Sequence, residues 1–229
     1  VNATNSASLS KGKSLSGNAT LQVNRKLNNR GRNLTFRGVF GYGYNDNDQY
    51  TQSETRYYQL LNHLGGDSIL YRNQYITTPT RNYTAQVTYS EPIAKATFLQ
   101  FSYQFQYKYS KSDKTTFDLL DYPDWAIGGA LPSGYESHAV DSLSKNAEYR
   151  YYNHDASVGL RFIRPKYQLN VGMSFQPQNS TLSYKKGDYM IDTTRTVFNF
   201  APNMDLRFRF SKVSQLRFTY RGRSNQPTM

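Results

Sequence analysis

Few side chains in this chain have the types and spacing that catalysis or metal binding requires. The three histidines, His63, His138 and His154, are far apart and lack the spacing of metal ligands. Residues 45–48 (Asn-Asp-Asn-Asp) place four oxygen-bearing side chains side by side, as a Ca²⁺ site would need. The glycine and downstream glutamate of an EF-hand loop are missing, so a solvated turn is the other interpretation. We predict no metal site.

The carboxylates and serines give no catalytic pattern either. Asp118, Asp121 and Asp124 lie in a polar stretch, where ordinary solvated acids are common. No serine follows the strand-to-helix elbow of a hydrolase nucleophile. We therefore predict that the protein is not an enzyme, with no catalytic residue and no cofactor.

Basic side chains are the more promising functional groups, because the chain has 28 Lys and Arg against 16 Asp and Glu, which gives a formal net charge of +12. Eight of them alternate with apolar residues in strand-like segments, and we predict that they face a barrel lumen: Arg37, Lys108, Arg161, Arg207, Arg209, Arg217, Arg221 and Arg223. Two interpretations remain open: they pair with acids of further strands or of a plug, or they line a substrate path selective for anions.

Nucleic acid is not a predicted partner. The basic residues are spread roughly one per strand rather than clustered, and the aromatic residues that would stack on bases fall on the opposite face.

The elements that position these side chains show a period of two. From 98 to 110 the odd positions run from Leu99 through Phe101 to Tyr109, all apolar or aromatic, and the even positions from Gln100 onward are Gln, Ser and Lys. A helix with 3.6 residues per turn would scatter those apolar residues round its circumference. The alternation therefore predicts a strand with one apolar face.

The same alternation recurs along the chain. Strands are predicted at 15–27, 34–44, 81–90, 98–110, 149–162, 167–176, 198–210 and 216–220, with a weaker one at 3–10. The connections between them alternate in length: 28–33, 91–96, 163–166 and 211–215 are short, whereas 45–80 and 111–148 are long and 184–196 is intermediate. In bacterial barrels the tight turns lie in the periplasm and the long loops outside the cell.

Composition agrees with a barrel. Hydrophobic residues make up 37% of the chain, and the mean hydropathy is −0.77; no apolar run reaches the roughly 20 residues of a membrane helix. A barrel needs only every second strand residue to be apolar, although a soluble β-rich binding module has the same composition. We predict an all-β, antiparallel, up-and-down transmembrane β-barrel in the outer membrane, with residues 1–229 as one barrel segment.

Tyrosine provides a further sign of a membrane, because its ring suits an apolar boundary and its hydroxyl suits water. The chain has 21 Tyr and 13 Phe. We predict an interfacial belt at the strand ends next to the long loops: Tyr42, Tyr44, Tyr83, Tyr107, Tyr109 and Tyr149, with Tyr151 or Tyr152.

Both ends of the sequence suggest a fragment. The first ten residues do not form a secretion signal, and residues 225–229 do not form the aromatic-ending last strand that bacterial barrels commonly carry. Eight or nine strands could close a small barrel, but we expect an open arc of a larger one.

Four stretches resemble a known family. NRKLNNRGRNLTF (24–36), YSEPIAKATFLQFSYQFQYKYSKSDKTTFD (89–118), YRYYNHDASVGLRF (149–162) and QLRFTYRGRSNQP (215–227) are similar to outer-membrane β-barrels of Bacteroidetes, within TonB-dependent receptor-like proteins. The resemblance implies a barrel of about 22 strands, a plug domain, outer-membrane lipid around the barrel, and the TonB complex as the partner that powers ligand uptake. A non-transporting barrel that anchors surface lipoproteins is the alternative function.

Overall fold

Eight strands, seven of them with 19 to 27 residues and the last with seven, account for most of the chain. The structure, a computed structural model, describes residues 2–57, 68–211 and 213–222. The strands are β1 (Asn2–Lys26), β2 (Asn33–Tyr57), β3 (Ser68–Ala94), β4 (Thr97–Asp118), β5 (Lys145–Ile163), β6 (Tyr167–Lys186), β7 (Tyr189–Arg209) and β8 (Gln215–Arg221). One short 3₁₀ turn, Tyr135–His138, lies between β4 and β5.

The strands form one antiparallel sheet in chain order. Each strand pairs with the strand before it and the strand after it, so that the order is β1-β2-β3-β4-β5-β6-β7-β8 without a crossover. The predicted all-β, antiparallel, up-and-down class is therefore confirmed. Within the described residues the sheet is open, with β1 and β8 at its edges.

Three predicted connections were wrong in length. Strand β2 continues to Tyr57 and β3 begins at Ser68, so most of the expected loop 45–80 is strand. Strand β4 likewise reaches Asp118 and β5 begins at Lys145. The expected loop 184–196 is a hairpin, which turns at Gly187 and Asp188. Gly187 has φ 57°, a left-handed conformation that glycine adopts without strain.

The missed extensions of β2 and β4 have a common physical reason. Ladder hydrogen bonds join backbone groups and need no apolar side chain. Where both faces of a strand are polar, the apolar alternation disappears even though the pairing continues. The expected weak strand at 3–10 is likewise continuous with β1, which runs unbroken to Lys26.

The calcium interpretation of residues 45–48 is also wrong, as is the solvated turn. These residues lie inside β2, where successive side chains point to opposite faces of the sheet. Asp46 and Asp48 stand opposite Lys13 and Lys11 of β1. In the part of the chain that the structure describes, no three His, Cys, Asp or Glu side chains are grouped to hold a metal ion.

The short turns lie where the sequence predicts them. In the first, Leu27 N–H donates to Arg32 O over 2.9 Å, and Asn28 Oδ1 accepts the N–H groups of Arg30 and Arg32 at 3.0 Å each. Gly31 has φ 100° in this turn. All four short turns lie at one end of the sheet, as predicted, but the predicted alternation in length is wrong for the β6–β7 connection, which is also a tight turn.

The register places apolar side chains on one face. One row of partners crosses six strands through Phe36, Val87, Tyr103, Ala156, Phe175 and Phe200. On β6 the apolar Val171, Met173 and Phe175 are exposed, whereas Ser174 between them is buried. The apolar face is thus the outer, more accessible one, and no described element covers it. Among the described residues, no helix is long and apolar enough to cross a membrane.

The connection between β4 and β5 folds against the strand extensions. Leu119, which is fully buried, and Trp125 pack with Tyr50, and the Tyr50 and Trp125 ring centroids lie 5.7 Å apart. Gln52 Nε2 donates to Trp125 O over 3.0 Å. Tyr50 and Gln52 belong to the same face of β2 as Phe40, so this connection covers the outer face beyond the exposed apolar residues.

A candidate membrane-facing band and inner wall

The exposed apolar side chains form a band across the sheet. On β2 the band runs from Leu34 to Tyr44, and on β7 it runs from Phe198 to Phe208, which is 11 residues in each strand. We call this surface the apolar band. Eleven residues match the roughly 9–11 that a tilted transmembrane strand uses.

The band crosses the strands on a diagonal. The ladder row that contains Tyr42 continues through Arg81, Tyr109, Arg150 and Thr181 to Thr194. On β2 the band ends at Tyr44, two residues above that row, and on β7 it ends at Phe198, four residues below it. The edge of the band therefore drifts by six residues over five strand-to-strand steps.

That drift measures the inclination of the strands. With about 3.3 Å per residue and about 4.8 Å between strands, six residues over five steps correspond to a tilt of about 40°. Measured perpendicular to its two edges, a band that spans 11 residues of a strand with this tilt is about 25 Å tall. Transmembrane barrels have strands tilted by about 35–45° and an outer apolar zone about 25 Å tall.

Aromatic rings line the edge of the apolar band next to the strand extensions. Phe40, Tyr83, Tyr107 and Tyr152 are consecutive partners on β2 to β5, with ring centroids 5.2, 5.9 and 4.9 Å apart. One step further out, Arg81 and Arg150 flank Tyr109 on the same face. The apolar band therefore ends in aromatic rings followed by guanidinium groups.

The structure separates the predicted belt tyrosines. Tyr42, Tyr44, Tyr83, Tyr107 and Tyr109 lie on the face of the apolar band. Tyr149 does not, because its partner is Ser110, on the polar face with Lys108. Tyr152 takes its place, since period two puts residues 149 and 152 on opposite faces. Whether these tyrosines meet a membrane interface stays a prediction.

Beyond this edge the outer face carries paired charges. Lys111 Nζ lies 2.5 Å from Asp113 Oδ2, and this hydrogen bond raises the pKa of Lys111 above its usual value. Arg150 is paired with Glu148. Ion pairs of this kind are typical of a protein surface that is exposed to water.

The opposite edge ends in a second ionic group. Arg32 Nη2 lies 2.5 Å from Glu91 Oε1, and the hydroxyl of Tyr89 donates to the same carboxylate. Glu91 is on the face of the apolar band, opposite Leu99. The band is thus bounded by charged groups on both sides.

The predicted basic residues share the other face of the sheet, which we call the inner wall. The ladder pairs Arg37 with Gln86, Lys108 with Asn82, Arg161 with Asn170, Arg207 with Arg217, Arg209 with Gln215 and Arg221 with Asn203. Arg223 lies outside the described residues. That the inner wall faces a lumen stays a prediction.

Four of these residues come together, and sequence periodicity could not show this. Arg161, Arg207, Arg217 and Arg221 line one concavity of about 750 Å³ on β5, β7 and β8. Asp205 lies among them: Arg217 Nη2 donates to Asp205 Oδ2 over 2.9 Å, and Arg207 Nε lies 3.5 Å from Asp205 Oδ1. Arg37 and Lys108 are not part of this group.

The inner wall also holds aromatic residues that the sequence did not assign to it. The rings of Tyr149 and Tyr151 are stacked at 6.5 Å with an interplanar angle of 11°. Lys108 Nζ lies 6.0 Å from the centroid of Tyr151, and Lys145 Nζ lies 5.6 Å from that of Tyr184. The register was the missing information, because only pairing with Lys108 reveals which tyrosines face inward.

Comparison with known proteins found similarity among solved structures alone. No family model matches the chain, and no curated protein matches it. Among solved structures it is similar to the ferric yersiniabactin uptake receptor FyuA from Yersinia pestis, with a TM-score of 0.45 and 9% identity over 79% of this chain and 26% of that one. It is also similar to the ferric citrate transporter FecA in its unliganded form, with a TM-score of 0.45 and 12% identity over 81% of this chain and 26% of that one.

The chain spans about a quarter of the length of these two structures. Similarity at this level does not assign the chain to a family.

Proposed function

We propose that this chain is part of the barrel of an outer-membrane receptor or transporter that takes up an unidentified ligand. The observation that carries the proposal is the apolar band, which spans 11 residues on both β2 and β7 and crosses the strands on a diagonal. A lipid bilayer imposes this pattern, because its apolar slab has fixed thickness whatever the tilt of the strands.

The exposure of the band supports lipid as its partner. Phe101 is 46% exposed and Phe200 is 68% exposed, although both lie inside long strands. A soluble sandwich would cover such a face with a second sheet, and no described element does so. Hydrocarbon covers it in this proposal, with the tight turns in the periplasm and the strand extensions outside the cell.

The unpaired edges support a larger barrel. Edge strands expose backbone N–H and C=O groups that pair readily with further strands. Pairing of β1 and β8 with other strands would extend the arc toward the roughly 22 strands of plugged outer-membrane transporters. The plug and the TonB complex enter this proposal through the resemblance of residues 24–36, 89–118, 149–162 and 215–227 to Bacteroidetes barrels.

The membrane part is tested by site-specific fluorescence in the full-length protein reconstituted into liposomes. Single cysteines replace Phe101 or Gln104 and carry the same fluorophore, and the matched pair is Val87 and Gln86 on β3. Brominated lipid is expected to quench the labels at 101 and 87, and aqueous iodide those at 104 and 86. Equal quenching of both members of a pair by iodide would contradict a lipid-facing band.

The transport part needs a separate measurement in cells. Energy-dependent uptake that stops when TonB is deleted would support the receptor role. A barrel located in the outer membrane that gives no TonB-dependent uptake and copurifies with a surface lipoprotein would instead support the anchoring role.

A further inference from the structure

The concavity of the inner wall has an unbalanced charge. Its lining contains four guanidinium groups, from Arg161, Arg207, Arg217 and Arg221, and one carboxylate, from Asp205. Asp205 is already engaged by Arg217 and Arg207 and accepts a hydrogen bond from Thr219 Oγ1 over 3.2 Å. In the described part of the chain Arg161 and Arg221 have no ion-pair partner. The concavity therefore has a surplus of positive charge.

Amide side chains make up much of the remaining lining. They are Gln100, Gln168, Asn170, Gln176 and Asn203. An amide group both donates and accepts hydrogen bonds, and so does a hydroxyl group, whereas a carboxylate only accepts. Guanidinium groups bind carboxylate and phosphate through charge-assisted, often bidentate hydrogen bonds.

Two polar atoms of the residues that line the concavity lack hydrogen-bond partners. Arg161 Nε and Asn170 Oδ1 are buried and unpaired among the described residues, and the two residues face each other across β5 and β6. Arg161 Nε–H needs an acceptor, and Asn170 Oδ1 needs a donor. Buried polar groups are normally satisfied, so this is where the wall needs partners of both kinds.

We propose that the concavity binds a small hydroxylated anion, such as a sugar acid or a sugar phosphate. The inference rests on the proposed function and specifies its ligand class. A ligand of this kind supplies anionic oxygens to the guanidinium groups and hydroxyl groups to the amides. The volume of about 750 Å³ lies within the range of about 300–1,000 Å³ usual for small-molecule sites.

The test is isothermal titration calorimetry on the full-length protein in detergent. The probes are D-glucuronate, D-glucose 6-phosphate and neutral D-glucose, so that carboxylate and phosphate are compared on one sugar ring. At least one of the two anions is expected to bind, and D-glucose at least about tenfold more weakly, because a charge-assisted hydrogen bond contributes about this factor.

Variants locate the site. Arg161→Gln and Arg221→Gln are each expected to weaken binding of the anion about tenfold or more, and Arg161→Lys less than Arg161→Gln. Arg37→Gln, which removes an inner-wall charge outside the concavity, is the matched control and is expected to leave the affinity unchanged. Heat-modifiable gel mobility verifies that each variant is folded.

Three results would overturn the proposal. The first is that neither anion binds the wild-type protein, and the second is that D-glucose binds as well as the anions. The third is that Arg161→Gln and Arg221→Gln bind like Arg37→Gln. An acidic segment of the same protein that crosslinks to a cysteine at Asn203 would account for the first result. Anion binding is measured in detergent, whereas membrane placement is measured by quenching at position 101 in liposomes. Failure of the ligand proposal is therefore distinguishable from failure of the proposed function.

Discussion

Tyr103 and His154 share a hydrogen bond on the apolar face of the sheet, with 2.7 Å between Tyr103 Oη and His154 Nδ1. The imidazole also lies beside the ring of Phe105, at a centroid distance of 5.1 Å. A polar group that faces hydrocarbon is costly unless it is hydrogen-bonded. The pair thus accommodates a histidine inside the apolar band with a hydrogen-bond partner for its Nδ1.

Loss of this hydrogen bond is expected to destabilise the protein in lipid. Tyr103→Phe removes the hydroxyl and leaves His154 Nδ1 unpaired, at a cost of about 1–3 kcal/mol. Equilibrium urea unfolding of the full-length protein in liposomes measures the change. Tyr83→Phe is the control, because the Tyr83 hydroxyl has no hydrogen bond within the described ranges, and an equal loss for both variants would show that the His154 contact is unimportant.

A charge in the centre of the apolar band is expected to cost more than a charge beyond it. Val171 lies near the middle of the band on β6 and is 42% exposed. Val171→Arg is predicted to lower the free energy of unfolding in lipid by about 2–4 kcal/mol. Ser183→Arg, on the same face of β6 but outside the band, is predicted to change it by less than about 0.5 kcal/mol.

The same unfolding experiment in liposomes compares the two substitutions. If Val171→Arg were tolerated as well as Ser183→Arg, the outer face would be in contact with water rather than with hydrocarbon.

The first tight turn is expected to require glycine. At Gly31, φ is 100° and a Cβ would lie 2.9 Å from the Phe98 ring. Gly31→Ala is therefore predicted to destabilise the protein by about 1–3 kcal/mol. Gly17→Ala is the matched control, since nothing lies within 4 Å of its Cβ position. Thermal unfolding followed by gel mobility checks the difference, and similar midpoints for both variants would contradict the prediction.

Arg164 is expected to hold two tight turns together. Its Nη1 donates to Lys95 O over 2.9 Å and to Ala96 O over 3.0 Å. These hydrogen bonds connect the β5–β6 turn, which contains Arg164, with the β3–β4 turn. Arg164→Ala leaves these carbonyl groups without that donor and is predicted to cost about 1–3 kcal/mol. Lys166→Ala, in the same turn, tests whether loss of any basic side chain there has the same effect; we expect a change below about 0.5 kcal/mol.

Much of the fold was predictable from local pattern. The alternation at 98–110 places Phe101 and Gln104 on opposite faces, and the structure keeps that assignment for the alternating segments of all eight strands. The tight turns were predictable because glycine, asparagine and proline have specific backbone preferences. The polar extensions of β2 and β4 were not, because strand pairing alone leaves no apolar period in the sequence.

The candidate site was likewise predictable from the sequence only in part. Alternation identified the basic residues of the inner wall, but their separation in sequence gave no sign that Arg161 and Arg221 line one concavity. The alternation also could not place Tyr149 on a face, because Tyr149 lies where the apolar period of β5 ends.

The sequence by itself therefore determined which side chains share a face, since neighbouring residues of a strand point in opposite directions. Only the tertiary structure decided how the strands are aligned with one another. That alignment sets the 11-residue height and the diagonal course of the apolar band, and it brings together arginines of β5, β7 and β8. It depends on backbone hydrogen bonds between distant segments, which no local period records.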